Sequence, residues 1–346
     1  MFRLPAEWEQ QAGVLLAWPH AQTDWAERLV EVETTCVALA VAIARFEPVL
    51  ICVANASVRT RAEQLIGVAC TGRRAKIEFV EIEYDDTWLR DSGPLTLRGV
   101  DEFLLLDFRF TGWGGKFAAS RDDRLIEGLA TRELFRHAEH RRVDWALEGG
   151  AIESDGAGTL LTTWRCLHQR HPEQSREQMT RLLCDKLGAN RVLWLERGYL
   201  QGDDTDAHID TLARFAPNDT IVFQACDDAA DPHFDELAAM RDELAALRTA
   251  DGKPYRLHAL PWPRAIFDRD DVDDGRRLAA SYANYLIVNG AVLIPAYGDL
   301  ADGEAARIIG LAHPGREVVA LPCRSLIWQN GSLHCLTMQL PQGILG

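Results

Sequence analysis

The sequence predicts a mixed α/β protein in one architecture spread over all 346 residues. Three observations carry this. Short apolar runs of strand length recur from end to end, helical apolar periodicities fall between them, and no low-complexity linker or shift of composition divides the chain. Strand and helix units that recur without close sequence identity are compatible with a divergent radial repeat, which periodicity alone does not establish.

Taken in order, strand-like runs are read at Val14–Trp18, Val49–Val53, Phe103–Phe108, Leu160–Thr163 and Val192–Leu195, then at Thr220–Phe223, Tyr285–Val288, Val292–Ile294, Val318–Leu321 and Leu336–Leu340. Between them, Ala26 to Phe46 sets Leu29, Val32, Cys36, Leu39 and Ile43 at helical spacing. Glu173 to Leu187 repeats the pattern with Met179, Leu182, Leu183 and Leu187, and Pro172 stands at a first helical position. His233 to Leu247 and Ala301 to Leu311 are further helices. His137 and His140 are read one turn apart on an exposed helix. The pair Asn289-Gly290 between two apolar runs signals a hairpin, because both residues tolerate positive φ.

Composition narrows the function. An apolar fraction of 47% supports a substantial core and excludes general disorder. The net charge of −15 argues against a nucleic-acid binder, which needs a basic footprint, and against docking on an anionic membrane. It leaves open a small cationic partner. Solubility is the competing explanation of the charge. The N-terminus, Met1 to Trp8, lacks a signal-peptide pattern, no apolar run is long enough to span a bilayer, and the eight cysteines form no CxxC pair. A cytoplasmic protein with mostly buried free thiols is therefore expected.

Several motifs fail. Gly112-Trp113-Gly114-Gly115-Lys116-Phe117 lacks the spacing of a P-loop or of a dinucleotide fingerprint. The acidic run Asp268 to Asp274 does not place oxygens as a calcium loop does and reads as a solvated loop. Cys166-x-His168-x-x-His171 carries metal-capable side chains without a second ligand group, so no metal is assigned.

Four segments carry candidate chemistry. Asp85 to Pro94 crowds ionisable residues around Trp88 before a Gly-Pro stop, and an acidic turn is its plain alternative. Leu147-Glu148-Gly149-Gly150 sets a carboxylate before two glycines that admit close backbone approach. Gly202 to Asp210, if extended, points Asp206, His208 and Asp210 to one side, where carboxylates would orient an imidazole for acid–base work. Asn330 to Met338 places Cys335 just after a Gly-Ser turn; such a cysteine is a candidate nucleophile or an inert core residue. A thiol-plus-imidazole pair does not name a reaction. The surrounding carboxylates Asp91, Glu148 and Asp210 are acceptors, whereas a protease needs oxyanion donors. Acceptors suit a planar guanidinium, whose N–H fork matches carboxylates.

At this point the sequence resembles the agmatine deiminase and bacterial peptidyl-arginine deiminase family of guanidino-group-modifying enzymes. The matching pieces span most of the chain: Leu4-Pro5-Ala6-Glu7-Trp8, Leu16-Ala17-Trp18-Pro19, Asp86 to Pro94, Trp113 to Phe117, Leu147 to Gly150, Asp204 to Asp210, Ala280-Ser281-Tyr282 with Asn284, and Leu333-His334-Cys335. The resemblance implies a five-bladed pseudo-symmetric α/β propeller, a single catalytic domain over 1–346, and an active site in its central depression. It implies that Cys335 is the nucleophile, His208 the general acid/base, and Asp91 and Asp210 the carboxylates that grip guanidinium. Glu148 matches a family-typical Glu-Gly-Gly site, and Trp113 and Trp88 are expected to line the pocket, with core packing the alternative for Trp88. Asp206 joins the expected substrate-binding set.

The expected reaction is hydrolysis of agmatine through a covalent thiouronium intermediate, with no metal and no organic cofactor. The expected partner is the small cationic guanidine alone, with a homo-oligomer left open. The alternatives are deimination of free or peptidyl arginine, amidino transfer, and a non-catalytic propeller that binds a protein. An enzyme is expected to show one hyper-reactive cysteine protected by a guanidine ligand. Against the agmatine branch, the chain has Ala207 where Gly is usual, Asn330-Gly331-Ser332 where glycines run, and Met338 where Gln is common. These leave the chemistry residues in place and the substrate's tail open.

Overall fold

A computed structural model describes residues 2–70, 75–132, 134–135, 138–268 and 275–345. Five small mixed sheets organise them. The second sheet joins Leu95–Arg98 antiparallel to Phe103–Arg109, which runs parallel to Ala138–Ala146. The third repeats this with Glu153–Ser154, Thr159–Thr163 and Arg191–Leu195, and the fourth with Ala213–Ala216, Thr220–Gln224 and Arg256–Leu260. The fifth does so with Leu286–Val288, Ala291–Ala296 and Glu317–Pro322. The first sheet is completed from the other end of the chain. Thr337–Pro341 lies antiparallel to Gln11–Ala17, which continues in parallel to Val49–Val53 and Ile77–Glu81.

Each unit is thus an antiparallel step followed by a helical crossover to a parallel strand, as parallel pairing requires. Leu29–Ile43, Leu125–Ala130, Arg176–Leu187, Phe234–Ala246 and Asp302–Ala312 make those crossovers. Burial follows the same order. The lead strands Leu95–Arg98, Ala213–Ala216, Leu286–Val288 and Thr337–Pro341 are almost wholly buried, whereas the parallel edge strands are half-exposed.

Every strand read from the apolar runs is present within a few residues. Ile77–Glu81, Ala138–Ala146 and Arg256–Leu260 escaped that reading because their outer faces are polar and exposed. Ala138–Ala146 corrects the helix read around His140. That residue lies on the strand with Nε2 2.7 Å from Asp107 Oδ2, and His137 falls outside the described residues. The helix expected from Pro172 begins at Arg176 instead, because Ser175 and Gln178 form a reciprocal capping box there. The polar helix Ala56–Ala69, capped by Asn55, buries only Ala62 and Ile66 and left little periodicity to read. The Asn289-Gly290 hairpin is present, with Gly290 alone at positive φ (79°). Of the acidic run, only Asp268 is described, facing Arg276. No helix among the described residues is long and apolar enough to cross a membrane.

Candidate active site

Five segments converge on one place, and each immediately precedes the buried lead strand of a sheet. They are the turn Leu89–Ser92, Glu148 to Ala151, His208 to Thr211, Ser281 to Asn284, and His334-Cys335. The recurrence in the fold therefore delivers one loop per sheet to a common point.

Asp91 sits in the single helical turn after Trp88. Its Oδ2 accepts the indole N–H of Trp113 at 2.9 Å and its Oδ1 accepts the backbone N–H of Gly150 at 2.9 Å. Trp113 reaches it from a loop in which Gly112, Trp113, Gly114 and Gly115 all have positive φ; the glycines make that path affordable sterically. The run that fails as a phosphate loop is thus what aims Trp113 at Asp91. Gly150 has a second duty. A Cβ there would lie 2.6 Å from His208 Nδ1, 2.7 Å from Asp91 Oδ1 and 3.2 Å from Asp210 Oδ2. Only a residue without a side chain lets these three groups meet.

His208 is fully buried between two carboxylates, with Nδ1 3.6 Å from Asp91 Oδ1 and Nε2 3.7 Å from Glu148 Oε2. Neither ring nitrogen has a hydrogen-bond partner among the described residues, nor has Glu148 Oε2 or Asp210 Oδ1. The extended reading of 206–210 is corrected here. Asp206 and Ala207 adopt left-handed φ of 66° and 72°, and 209–211 form a 3₁₀ turn. Asp206 consequently turns away and pairs with Arg170 (2.6 Å) and Lys116 (2.7 Å), while His208 and Asp210 stay in the cluster. Left-handed backbone at Ala207 also gives a steric reason for glycine at this place.

Asp210 Oδ2 lies 2.7 Å from His334 Nδ1 and 3.5 Å from the Cys335 sulfur. Asn284 fastens the cysteine turn. Its Nδ2–H donates to Cys335 Sγ at 3.1 Å, and its Oδ1 accepts the N–H groups of His334 and Cys335. Arg90 N–H donates to the carbonyl of Cys335 at 3.1 Å, so the Asp91 and Cys335 turns are tied together. Behind them, His334 Nε2 lies 2.6 Å from Glu7 Oε2, and Glu7 also accepts from Arg214 and from the N–H of Ile287. The buried charges are thus paired, as the low-dielectric interior demands.

Electrostatics differ from residue to residue. Burial pushes Asp91 up to about 6, against the pull of His208 and with help from Asp210. Burial also opposes ionisation of Glu148, but His208 and Arg170 hold it down to about 2. Burial disfavours a charged His208, yet Asp91, Cys166 and Glu148 outweigh it and raise its proton affinity well above the usual range. Cys335 is only 4% exposed, and burial with the charges of Asp210 and Asp91 raises its thiol well above the ordinary value. In the free protein the thiol is thus biased toward its neutral form.

A cleft of about 260 Å³ opens onto this cluster, walled by Trp88, Trp113, Phe117 and Trp328 and reaching Asp91 and Cys335. Trp88 belongs to both readings. It lines the cleft and packs in the core, with its ring pressed on Gly331, where no Cβ would fit. Glu148, expected among the substrate-binding residues, stands behind His208, and neither it nor Asp206, His208 or Asp210 is among the residues lining the cleft. Asp24, Asp86, Asp204 and Arg276 also line the cleft.

Asn284, His334, Arg170 and Cys166 were not singled out for the site, and Gly150 was noted only for close backbone approach. Asn284 and His334 lie inside motifs that carried the resemblance; Gly150 is legible only as an absent side chain. Cys166 joins Glu148 and His208 in a buried set whose donor atoms lie within 4.8 Å of one another, while His168 stacks on Trp164 and His171 on Trp145. Glu7, Glu153 and His334 form a second such set, already occupied by the guanidinium of Arg214.

The similar proteins include peptidyl-arginine, arginine and agmatine deiminases. The profile of the Porphyromonas-type peptidyl-arginine deiminase family matches residues 3–341. The agmatine deiminase of Stutzerimonas stutzeri is 34% identical over 98% of this chain and 95% of its own length. A solved Cys-to-Ser agmatine deiminase of C. jejuni with substrate bound superimposes with a TM-score of 0.90 at 31% identity, covering 99% of this chain and 97% of that one. A solved chain from Porphyromonas gingivalis is 41% identical over the whole of both chains, with a TM-score of 0.89.

Proposed function

We propose, for a chain that belongs to the Porphyromonas-type peptidyl-arginine deiminase family, that it is a hydrolase of C–N bonds in amidines and converts agmatine and water to N-carbamoylputrescine and ammonia. The observation that carries this is the meeting of Asp91, Asp210, His208 and Cys335 behind an aromatic cleft that reaches Asp91 and Cys335, with Asp210 Oδ1 and both His208 nitrogens unpartnered among the described residues. Five similar sheets, the first completed by the last strand, support the blades of a closed ring around that point. No step calls for a cofactor, and we place the protein in the cytoplasm.

In this reading the guanidinium lies against Asp91 and Asp210, with its carbon facing the Cys335 sulfur. Trp113 and Gly150 fix the Asp91 carboxylate by two hydrogen bonds, leaving its charge for the substrate. The arriving cation offsets the two carboxylates that hold the thiol protonated, so Cys335 gives up its proton to solvent as substrate binds. The thiolate adds to the guanidinium carbon. His208, charged between Asp91 and Glu148, gives a proton to the departing nitrogen, and ammonia leaves a thiouronium on Cys335. Neutral His208 then takes a proton from water as its oxygen attacks the same carbon. The C–S bond breaks with its electron pair passing to sulfur, the hydroxyl proton of the adduct passes to the thiolate, and the neutral ureido product leaves with Cys335 a thiol and His208 charged as at the start.

The tail is read from the rest of the lining. Besides Asp91, the described lining residues include three carboxylates, Asp24, Asp86 and Asp204, and one guanidinium, Arg276, which favours a distal ammonium over an α-carboxylate. Burial lifts Asp86 to about 7, so a bound ammonium would draw it into the ionised form. Arg276 supports the second reading, an arginine-type substrate, but its NH1 and NH2 already donate to Asn330 and to the Trp328 carbonyl. A ureido-product assay on agmatine, free arginine and arginyl peptides decides. Agmatine is expected to lead by at least about 100-fold in kcat/KM, roughly one lost charge-assisted contact at the tail. A lead for arginine selects the second reading, and no ureido product from any guanidine overturns both.

A further inference from the structure

We propose that Glu148, Cys166 and His208 form a binding site for one thiophilic divalent cation of the zinc class, and that its occupation shuts the enzyme off. The binding rests on geometry alone; the inhibition rests on the role given above to His208.

The three residues offer the mixed sulfur, nitrogen and oxygen donors that suit zinc, all buried. Two of the donors are unclaimed: His208 Nε2 and Glu148 Oε2 have no hydrogen-bond partner among the described residues and lie 3.7 Å apart. Bond lengths of about 2.0–2.3 Å put the donors of a tetrahedral zinc roughly 3.3–3.8 Å from one another, so this pair is already spaced for the ion. Cys166 is a free thiol on the helix Trp164–Arg170, whose first turn is capped by Thr163. Modest side-chain rotation closes the set, and water fills a fourth position.

Charge also balances. One carboxylate and one thiolate neutralise a divalent ion, with His208 bound as neutral imidazole. Arg170, the nearby cation, is held on the other oxygen of Glu148 at 2.8 Å and offset by Asp206 at 2.6 Å. The second buried set, Glu7, Glu153 and His334, has no such vacancy for charge, because Arg214 bridges both glutamates. On binding, the Cys166 thiol proton and the proton on His208 Nε2 pass to solvent, three metal–ligand bonds form, and nothing is oxidised or reduced. A metal-bound imidazole can no longer shuttle a proton, so ammonia release stops until the ion is removed.

The test uses the full-length Cys335→Ser protein, so that any sulfur–metal signal comes from another thiol. Titration with Cd²⁺ is expected to give one equivalent with a thiolate-to-metal charge-transfer band. Adding Cys166→Ser should abolish the band and weaken binding at least about 10-fold. X-ray absorption of Zn²⁺-loaded Cys335→Ser should show one sulfur at about 2.3 Å with lighter ligands at about 2.0 Å, which decides the matter even if Cys166→Ser does not fold. A sulfur-free shell, or a band that survives Cys166→Ser, overturns the site. In the native protein Zn²⁺ should inhibit and a chelator restore activity. Metal binding as described in a protein that releases no ammonia from any guanidine leaves the site standing and removes the function.

Discussion

His334 stands between two carboxylates, with Nδ1 2.7 Å from Asp210 Oδ2 and Nε2 2.6 Å from Glu7 Oε2. Asp210 is thereby fixed on one oxygen, and its other oxygen has no hydrogen-bond partner among the described residues. Gln at 334 can satisfy one carboxylate only, stranding a buried charge. His334→Gln is expected to cost about 3 kcal/mol in denaturant unfolding and to lower kcat/KM as well. An unchanged unfolding midpoint would show that the bridge is not structural.

Cys335→Ala is expected to abolish ammonia release from agmatine with the fold intact. Asp91→Asn keeps the shape and removes the charge, so kcat/KM should fall about 100-fold or more. Wild-type turnover in either variant, in a steady-state ammonia assay, refutes the corresponding role.

Gly150→Ala would drive a methyl group to within 2.6 Å of His208 Nδ1 and 2.7 Å of Asp91 Oδ1. Something must move, and displacements near 1 Å cost on the order of 100-fold in rate. Activity should fall by that factor while circular dichroism stays native. Activity near wild type would mean the three groups do not need this convergence.

The pH dependence follows from Asp91. Burial lifts it to about 6, so in the free enzyme it takes up a proton as pH falls through that value. Below about 6 the kcat/KM profile is expected to fall by a further tenfold per unit as Asp91 takes up its proton. In stability the sign is opposite to that of a salt-bridged acid. The folded state binds this proton more tightly than the unfolded chain, so Asp91 contributes stability at low pH that is lost as pH rises from about 4 to about 6. In Asp91→Asn both dependences should vanish, and an acid limb that persists unshifted belongs to another group.

Ala207 holds a left-handed φ of 72° immediately before His208. An L side chain there costs about 1–2 kcal/mol relative to glycine. Ala207→Gly should therefore stabilise the fold by about 1 kcal/mol after the added chain entropy of glycine is counted. A lower unfolding midpoint would show that the buried methyl group contributes more than the strain costs.

Strands are legible where apolar residues run together, whatever their burial: Val318–Leu321 lies on a half-exposed edge and reads as a strand, whereas the buried Ala213–Ala216 does not. Val49–Val53 and Thr220–Gln224 are buried on both faces and read as apolar runs, while Arg256–Leu260 is an exposed edge and does not. Polar residues crowded at the ends of such runs pointed to Asp91, His208, Asp210 and Cys335, because chemistry at a strand end needs residue types that a core rejects. Local pattern failed where backbone direction decided the outcome. Alternation put Asp206 beside His208, and two consecutive left-handed residues turned it to Arg170 instead.

By itself the sequence determined the α/β class, most strands, and the acceptor-rich chemistry that suits a guanidinium. Tertiary structure alone decided that five lead strands bring five loops to one point, that Asn284 and His334 hold the reacting groups, and that Gly150 must lack a side chain. It also gave Cys166 the partners Glu148 and His208 in place of its sequence neighbours His168 and His171. The reason is distance along the chain. Propensity and periodicity act over a few residues, whereas Glu7, Asp210 and His334 meet only after every sheet between them has formed.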